Sequence, residues 1–352
     1  MTTCFRQISA TVRIASVLAC AIGFAGVAAA QSMPVLDLVV GNNFGHLPMF
    51  VGVEKGLFKQ HGVEVRLKVV NTGTDMVNAM QKHEVQAGDM SVTTFLKARH
   101  AGEPFRVIGI IMSDATRSNA DEPLAIIARK GSGIRPGNIE DLKGKRLGLA
   151  QAQTSDEYTK MVLARSGMKY EDVKIENIMA PTALAPALRD GKVDAVASWE
   201  PFNTMVLEQV PESYTVLRGG GYLSYIMVAT VHEPMVKASP AVIRNFVAGL
   251  AAASQYTRKN RDEAVDIIAK WVPGLDRAVG KKAIQHISYD PRVSKPVMKA
   301  FEAAEDDVLK NTVKGAARLN VPEQFAASFL TDVEKTYPQY FSDLPPLAAA
   351  SR

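Results

Sequence analysis

Cysteine is nearly missing from this sequence: 352 residues hold two, Cys4 and Cys20, and both lie within the first thirty. Beyond residue 30 there is none, which excludes a disulfide framework, a cysteine zinc knuckle and a thiol nucleophile there. An excess of one charge is also lacking. Forty-one Lys and Arg against 36 Asp and Glu leave a formal net charge of +5. Short basic clusters such as Lys143, Lys145 and Arg146 fall in a turn-like stretch and read as solvated surface, so no nucleic-acid partner is expected. With 47% hydrophobic residues and so small a net charge, intrinsic disorder is excluded as well. The length suggests two domains, each large enough for its own core.

Catalytic signatures are absent too. The six histidines (His46, His61, His83, His100, His232, His286) form no H-E-x-x-H, and no two are three or four residues apart, so no metal site is expected. There is no G-x-S-x-G nucleophile elbow. Arg218-Gly219-Gly220-Gly221 is glycine-rich but has neither P-loop nor G-x-G-x-x-G spacing, so no nucleotide or other cofactor is expected. Glu302, Glu305, Asp306 and Asp307 read as one solvated acidic helix face.

What is present begins at the N-terminus. Arg6 and Arg13 precede an uncharged run, Ile14 to Ala30, that ends Val27-Ala28-Ala29-Ala30. A basic start, an apolar middle and small residues at the end form the pattern of a secretory signal peptide, with cleavage near Ala30 and export of the rest. Cleavage before Cys20, at the faintly lipoprotein-like Val17-Leu18-Ala19-Cys20, would leave too short an apolar core before the cut. Removal of Arg6 and Arg13 takes the basic count from 41 to 39 against 36 acids, a net charge of +3.

From Val35 onward, short apolar runs alternate with helical-period segments. Strands are expected at 35–41, 63–70, 86–90 and 105–112, with helices at 47–60, 76–82 and 92–101 between them. The alternation restarts with strands at 124–130, 146–150, 173–179, 193–198 and 214–218 and helices at 155–166, 183–190 and 201–209. A strand at 225–230 is followed by a mainly helical tail. Gly56, Gly62, Gly88, Gly144 and Gly191 read as turn and cap formers. Strand–helix alternation of this kind gives α/β lobes, each a mainly parallel sheet flanked by helices, with the tail lying against the first. Ligands of such sheets bind beyond the carboxyl ends of the strands, so a cleft between two lobes is the geometric default.

Particular segments then resemble a known family. GNNFGHLPMFVGVEKGLFKQHGVEVRL, MQKHEVQAGDMS, SGIRPGNIEDLKGKRLGLA, ALRDGKVDAVASWEP and YTRKNRDEAVDIIAK occur in order over roughly residues 35–270. Together they are similar to the solute-binding proteins of ABC importers for nitrate, sulfonates and taurine. The resemblance fades after about residue 290. It implies a two-lobe periplasmic-binding-protein fold, type II-like, with the ligand cleft between lobes. The split would be 31–116 plus 228–352 for lobe 1 and 117–227 for lobe 2. It further implies a monomer that hands a small organic anion to a membrane ABC permease driven by its ATPase, with no chemistry of its own.

Within that frame, the residues at strand ends become ligand-binding candidates. Asn42, Asn43 and Phe44 follow the first strand, with His46 close behind. Ser91 and Thr93 follow the third strand, and Thr154 and Ser155 open a helix in the second lobe; hydroxyls and free amides at helix N-termini suit an anion. Trp199 and Glu200, in a Trp-Glu-Pro turn resembling the family's Trp-x-Pro element, would cover the organic part of a ligand and accept from an amine. Arg117, near the first crossover, is the candidate counter-charge. Each has an ordinary alternative: a helix cap for Ser91, Thr154 and Ser155, lobe core for Trp199, a staple on the following helix for Phe44, a structural hydrogen bond for His46, and a pair with Asp114 or Asp121 for Arg117. Competing functions are an enzyme of the same fold acting on a sulfinate or pyrimidine-like substrate, and a ligand-sensing partner of a membrane receptor. The enzymes in question use cysteine, which the chain lacks after residue 30. For the ligand, a sulfonate or carboxylate ranks above nitrate, and Glu200, if it faces the cleft, favours a zwitterion such as taurine.

Overall fold

A computed structural model of the chain describes Met1 and residues 32–347. The signal-peptide reading of residues 1–30 therefore lies, apart from Met1, outside the described residues. Strand β1 (Val35–Gly41) passes through a 3-10 turn at Phe44–His46 into helices α1 (Leu47–Glu54) and α2 (Leu57–Gln60). Then come β2 (Glu64–Val70), α3 (Gly73–Gln81), β3 (Ala87–Ser91), α4 (Val92–His100) and β4 (Phe105–Met112). The second run is β5 (Leu124–Ala128), β6 (Arg146–Leu149), α5 (Thr154–Arg165), β7 (Lys174–Asn177), α6 (Leu184–Arg189), β8 (Ala195–Trp199), α7 (Phe202–Gln209) and β9 (Tyr214–Arg218). Strand β10 (Met227–His232) leads into α8 (Glu233–Ala238), α9 (Pro240–Lys259), α10 (Arg261–Ala269), α11 (Arg277–Ala283), α12 (Lys295–Asn311) and α13 (Ala327–Thr336). Helix α8 was not expected; at six residues it is too short to show a helical period. No helix among the described residues is long and apolar enough to cross a membrane.

The strands form two five-stranded sheets, in the orders β2-β1-β3-β10-β4 and β7-β6-β8-β5-β9. Central strands β3, β5 and β8 are buried along their whole length, as strands covered on both faces must be. Four strands of each sheet run one way, and one runs against them. Strand β10 is antiparallel to β3 and β4, and β5 is antiparallel to β8 and β9. The reason lies in the crossings. Leu124 at the start of β5 pairs with Trp199 at the end of β8, and Met227 at the start of β10 pairs with Ser91 at the end of β3. Both crossings thus enter a sheet at the carboxyl ends of its parallel strands, and each arriving strand can only run back. The tail packs mainly on the first sheet: α9 against α1, α2 and β4, α12 against α4, and α13 against β4. Helix α11 instead meets α7, where Lys282 pairs with Glu208 at 2.6 Å.

Two glycine expectations need correction or refinement. The helix expected over 47–60 is broken at Gly56, whose φ of 66° is left-handed and stops α1. The break turns α2 so that Phe58 enters a slot made by two other glycines. A Cβ on Gly52 would sit 2.4 Å from the Phe58 ring, and one on Gly249 2.6 Å from it. Phe246 closes the slot by stacking on Phe58, with ring centroids 5.3 Å apart. Gly88, expected in a turn, is instead inside β3, where a Cβ would come within 2.5 Å of Met80 Sδ. It is there for close packing of α3 on the sheet, not for backbone freedom.

Candidate ligand-binding cleft

Between the carboxyl ends of the two sheets lies a cavity of about 40 Å³. On that measure a water needs about 10–15 Å³, so only a few waters' worth of space is open. Loop residues after β1, β2 and β3 line one side, and those after β6 and β8 line the other. Three helices of nine, nine and twelve residues begin here: α3, α4 and α5. Their first amides and dipoles make the space favourable for negative charge. Ser91 caps α4, its Oγ accepting from Thr94 N at 3.2 Å. The N-cap of α5, Gln153, makes no side-chain cap of its own. Its Oε1 instead accepts from Gly73 N at 3.2 Å, so one helix start is held by a residue from the opposite wall. A second link across the walls is the ion pair of Lys97 on α4 with Glu157 on α5.

The floor is more unusual. His46, 1% exposed, places Nδ1 2.9 Å from Oδ2 of Asp89, which is fully buried in β3. The contact is at ion-pair distance but off the line of a hydrogen bond, and no other polar atom satisfies either Asp89 oxygen. Burial pushes the Asp89 carboxyl up, and His46 pulls it partly back. Gly41 makes room for the imidazole: a Cβ there would lie 2.5 Å from Nε2. Tyr225 stands above, its hydroxyl held protonated by burial first and by the charge of Asp89 second. Trp199 forms the far wall, 7% exposed, packed edge-on to Phe202, with its indole Nε1 buried and without a partner. Among the described residues, no Lys or Arg lines the cavity.

The sequence profile of the family described as NMT1/THI5 like matches residues 43–264, from the loop after β1 into α10. The chain belongs to that family. Among its relatives is an Escherichia coli (strain K12) protein named for binding aliphatic sulfonates, 24% identical over 275 residues, or 76% of this chain and 81% of the relative. Another is the 4-amino-5-hydroxymethyl-2-methylpyrimidine phosphate synthase of Saccharomyces cerevisiae, 23% identical over 258 residues, covering 68% and 71%. The structure superposes with a TM-score of 0.71 on the periplasmic aliphatic sulphonate binding protein of Escherichia coli, at 18% identity, covering 85% of this chain and 99% of that one. The two-sheet α/β architecture is accordingly that of the periplasmic binding proteins.

In this member of the NMT1/THI5-like family, five of the expected site residues line the cavity: Asn43, His46, Ser91, Thr154 and Trp199. Six do not. Asn42 stays at the rim, 3.4 Å from Asn71 Oδ1. Phe44 is turned into the core beside α11, because in the 3-10 turn that Asn43 caps residues three apart share a face, which gives the cleft to Asn43 and His46; the Phe44 carbonyl accepts from Tyr289. Thr93 faces a neighbouring cavity of about 250 Å³ that contains Lys97 and Glu157. Ser155 lies fully buried behind Thr154, its Oγ without a partner. Arg117 is half-exposed and held by Asp114 and Glu122, both at 2.6 Å. Glu200 is directed inward, not at the cleft: Oε1 takes Arg218 at 2.5 Å and Oε2 accepts from Thr204 N at 3.2 Å. A carboxylate one residue past a strand end alternates to the opposite face from its neighbour, and here Trp199 has the cleft side.

Asn71, Gly73, Met76, Thr94, Gln153 and Met227 also line the cavity and were not anticipated. Asn71 and Gly73 follow β2, so the strand-end rule applied to every strand would have found them. Met227 starts antiparallel β10 and reaches the cleft through the crossing, which no local pattern reveals.

Proposed function

We propose that this protein is the extracytoplasmic solute-binding component of an ABC importer, capturing a small organic anion and delivering it to a membrane permease and, through it, to the ATPase. The observation that carries the reading is the cleft itself: three helices start around one small cavity walled on the far side by Trp199. The dipoles of three helices that start around one small cavity suit retention of an anion. The printed names of the Escherichia coli relatives favour a sulfonate, with a carboxylate next. The case for a zwitterion weakens, since Glu200 is neutralised by Arg218. In this reading residues 31–116 with 228–352, and 117–227, are two lobes that open about the crossings, and Gln153–Gly73 and Lys97–Glu157 are contacts of the closed state. Export through a signal peptide cut near Ala30 puts the protein in the periplasm. The yeast synthase supports a second reading, an enzyme on the same fold acting on a pyrimidine-like substrate.

A thermal-unfolding screen of the chain from Gln31 with sulfonates, carboxylates, nitrate, amino acids and pyrimidines tests the proposal. A ligand at 100 times its Kd adds about 2.7 kcal/mol, a rise in Tm of roughly 5–10 °C. A rise with sulfonates or carboxylates and no product supports capture; a rise with pyrimidines alone, or product formation, favours the enzyme. Trp199→Ala is expected to weaken anion binding by about 1–3 kcal/mol, which is roughly 5- to 150-fold in Kd. Unchanged affinity with lower stability would remove Trp199 from the ligand.

A further inference from the structure

We infer that His46 and Asp89 act as one titrating unit supplying the positive charge of the cleft, so that capture of an anion takes up a proton. The inference rests on the anion-binding reading above. An anion that gives up part of its water for a small cavity needs a counter-charge or a dense set of donors. Helix N-termini supply partial charge only. Among the described residues Lys and Arg do not line the cavity: Arg117 is bridged to two carboxylates elsewhere, and Arg218 is committed to Glu200. His46 is the one lining side chain that can carry a full positive charge.

Its neighbour decides when it does so. Asp89 touches Nδ1 at 2.9 Å, buried and without other hydrogen-bond partners. Tyr225 is the other titratable group on this floor, and its phenol stays neutral and available as a donor. Gly41 from β1 and Met76 from α3 pack against the imidazole without charge, and Thr154 and Trp199 across the cleft are neutral as well. An imidazolium beside an ionised Asp89 is a pair of zero net charge. An incoming anion is repelled by the buried carboxylate, and protonation of the pair relieves that repulsion, leaving a net positive floor. Because the anion raises the proton affinity of the pair, the proton raises the affinity for the anion by the same factor. Affinity is therefore greatest at acid pH and falls as pH rises between the titration of the free pair and that of the bound pair, at most about tenfold per pH unit for one proton.

Ethanesulfonate is the probe. Calorimetric titration of the intact chain near neutral pH, in Bis-Tris and in Tris buffers, reads proton uptake from the difference in heats. Uptake approaching about one proton is expected, with Kd weakening as pH rises. His46→Gln is expected to bind more weakly with a flattened pH profile, and Asp89→Asn, which removes the repelling carboxylate, to bind no more weakly than the unaltered chain. Equal heats in the two buffers with binding intact would overturn the inference and leave anion capture standing; so would a pH profile kept by both variants. If either variant fails to fold, the two-buffer measurement on the unaltered chain decides alone. Absence of binding by ethanesulfonate and by every other sulfonate and carboxylate in the screen would overturn both readings together.

Discussion

Arg218→Ala is expected to destabilise the protein by about 3–5 kcal/mol, the range for breaking a buried ion pair and leaving the other charge alone. Glu200 has no exposed side-chain surface, and its counter-charge among the described residues is Arg218, itself largely buried, at 2.5 Å. Burial holds the Glu200 carboxyl above its ordinary range while Arg218 opposes the shift. An acid raised on folding adds stability below its unfolded pKa and loses it as pH rises through the folded value. Without Arg218 that loss deepens. Urea unfolding should accordingly show the largest deficit at neutral pH and a smaller one near about pH 4, where glutamate protonates. The double variant Glu200→Gln, Arg218→Met should recover most of the loss, since no buried charge remains. A deficit equal at both pH values would mean that lost packing, not the stranded carboxylate, is the cause. Trp199 precedes Glu200 directly, so the ion pair also fixes the wall of the cleft, and Arg218→Ala should weaken anion binding besides.

Phe58→Ala is expected to cost about 3–5 kcal/mol, the usual loss for a fully buried phenylalanine. The slot between Gly52, Gly249 and Phe246 fits one ring, and the helices around it leave little room to collapse because glycine already brings them close. Chemical denaturation measures the loss directly. Phe58→Leu should lose less, and a cost below about 1 kcal/mol for Phe58→Ala would show that α1 and α9 can close the gap. The effect should reach the cleft, since the loop carrying Asn43 and His46 stands on α1.

Most elements were legible from the chain because strand runs and helical periods are local properties: the observed strands and the longer helices lie within a few residues of where periodicity puts them. The break at Gly56 was not, since the glycine reads equally as a residue near a helix end. The mainly parallel sheets were legible in outline, but β5 and β10 run against their neighbours because of where the chain crosses between sheets, and direction of crossing leaves no local mark.

The cleft divides the same way. Asn43, His46, Ser91, Thr154 and Trp199 follow from one rule, that loops at the carboxyl ends of parallel strands face the ligand side. The rule selects segments, not side-chain directions. It could not say that Phe44 turns to the core, that Glu200 finds Arg218 eighteen residues later, or that Arg117 is spent on its own neighbours. By itself the sequence determined the alternation, the absence of cysteine chemistry after residue 30 and the segments that could meet a ligand, all of which depend on residue type and spacing. Only the tertiary structure decided which of those side chains share one space, set Asp89 beneath His46 and withheld every described lysine and arginine from the cavity, because contacts between residues far apart in the chain exist only once the two sheets have packed.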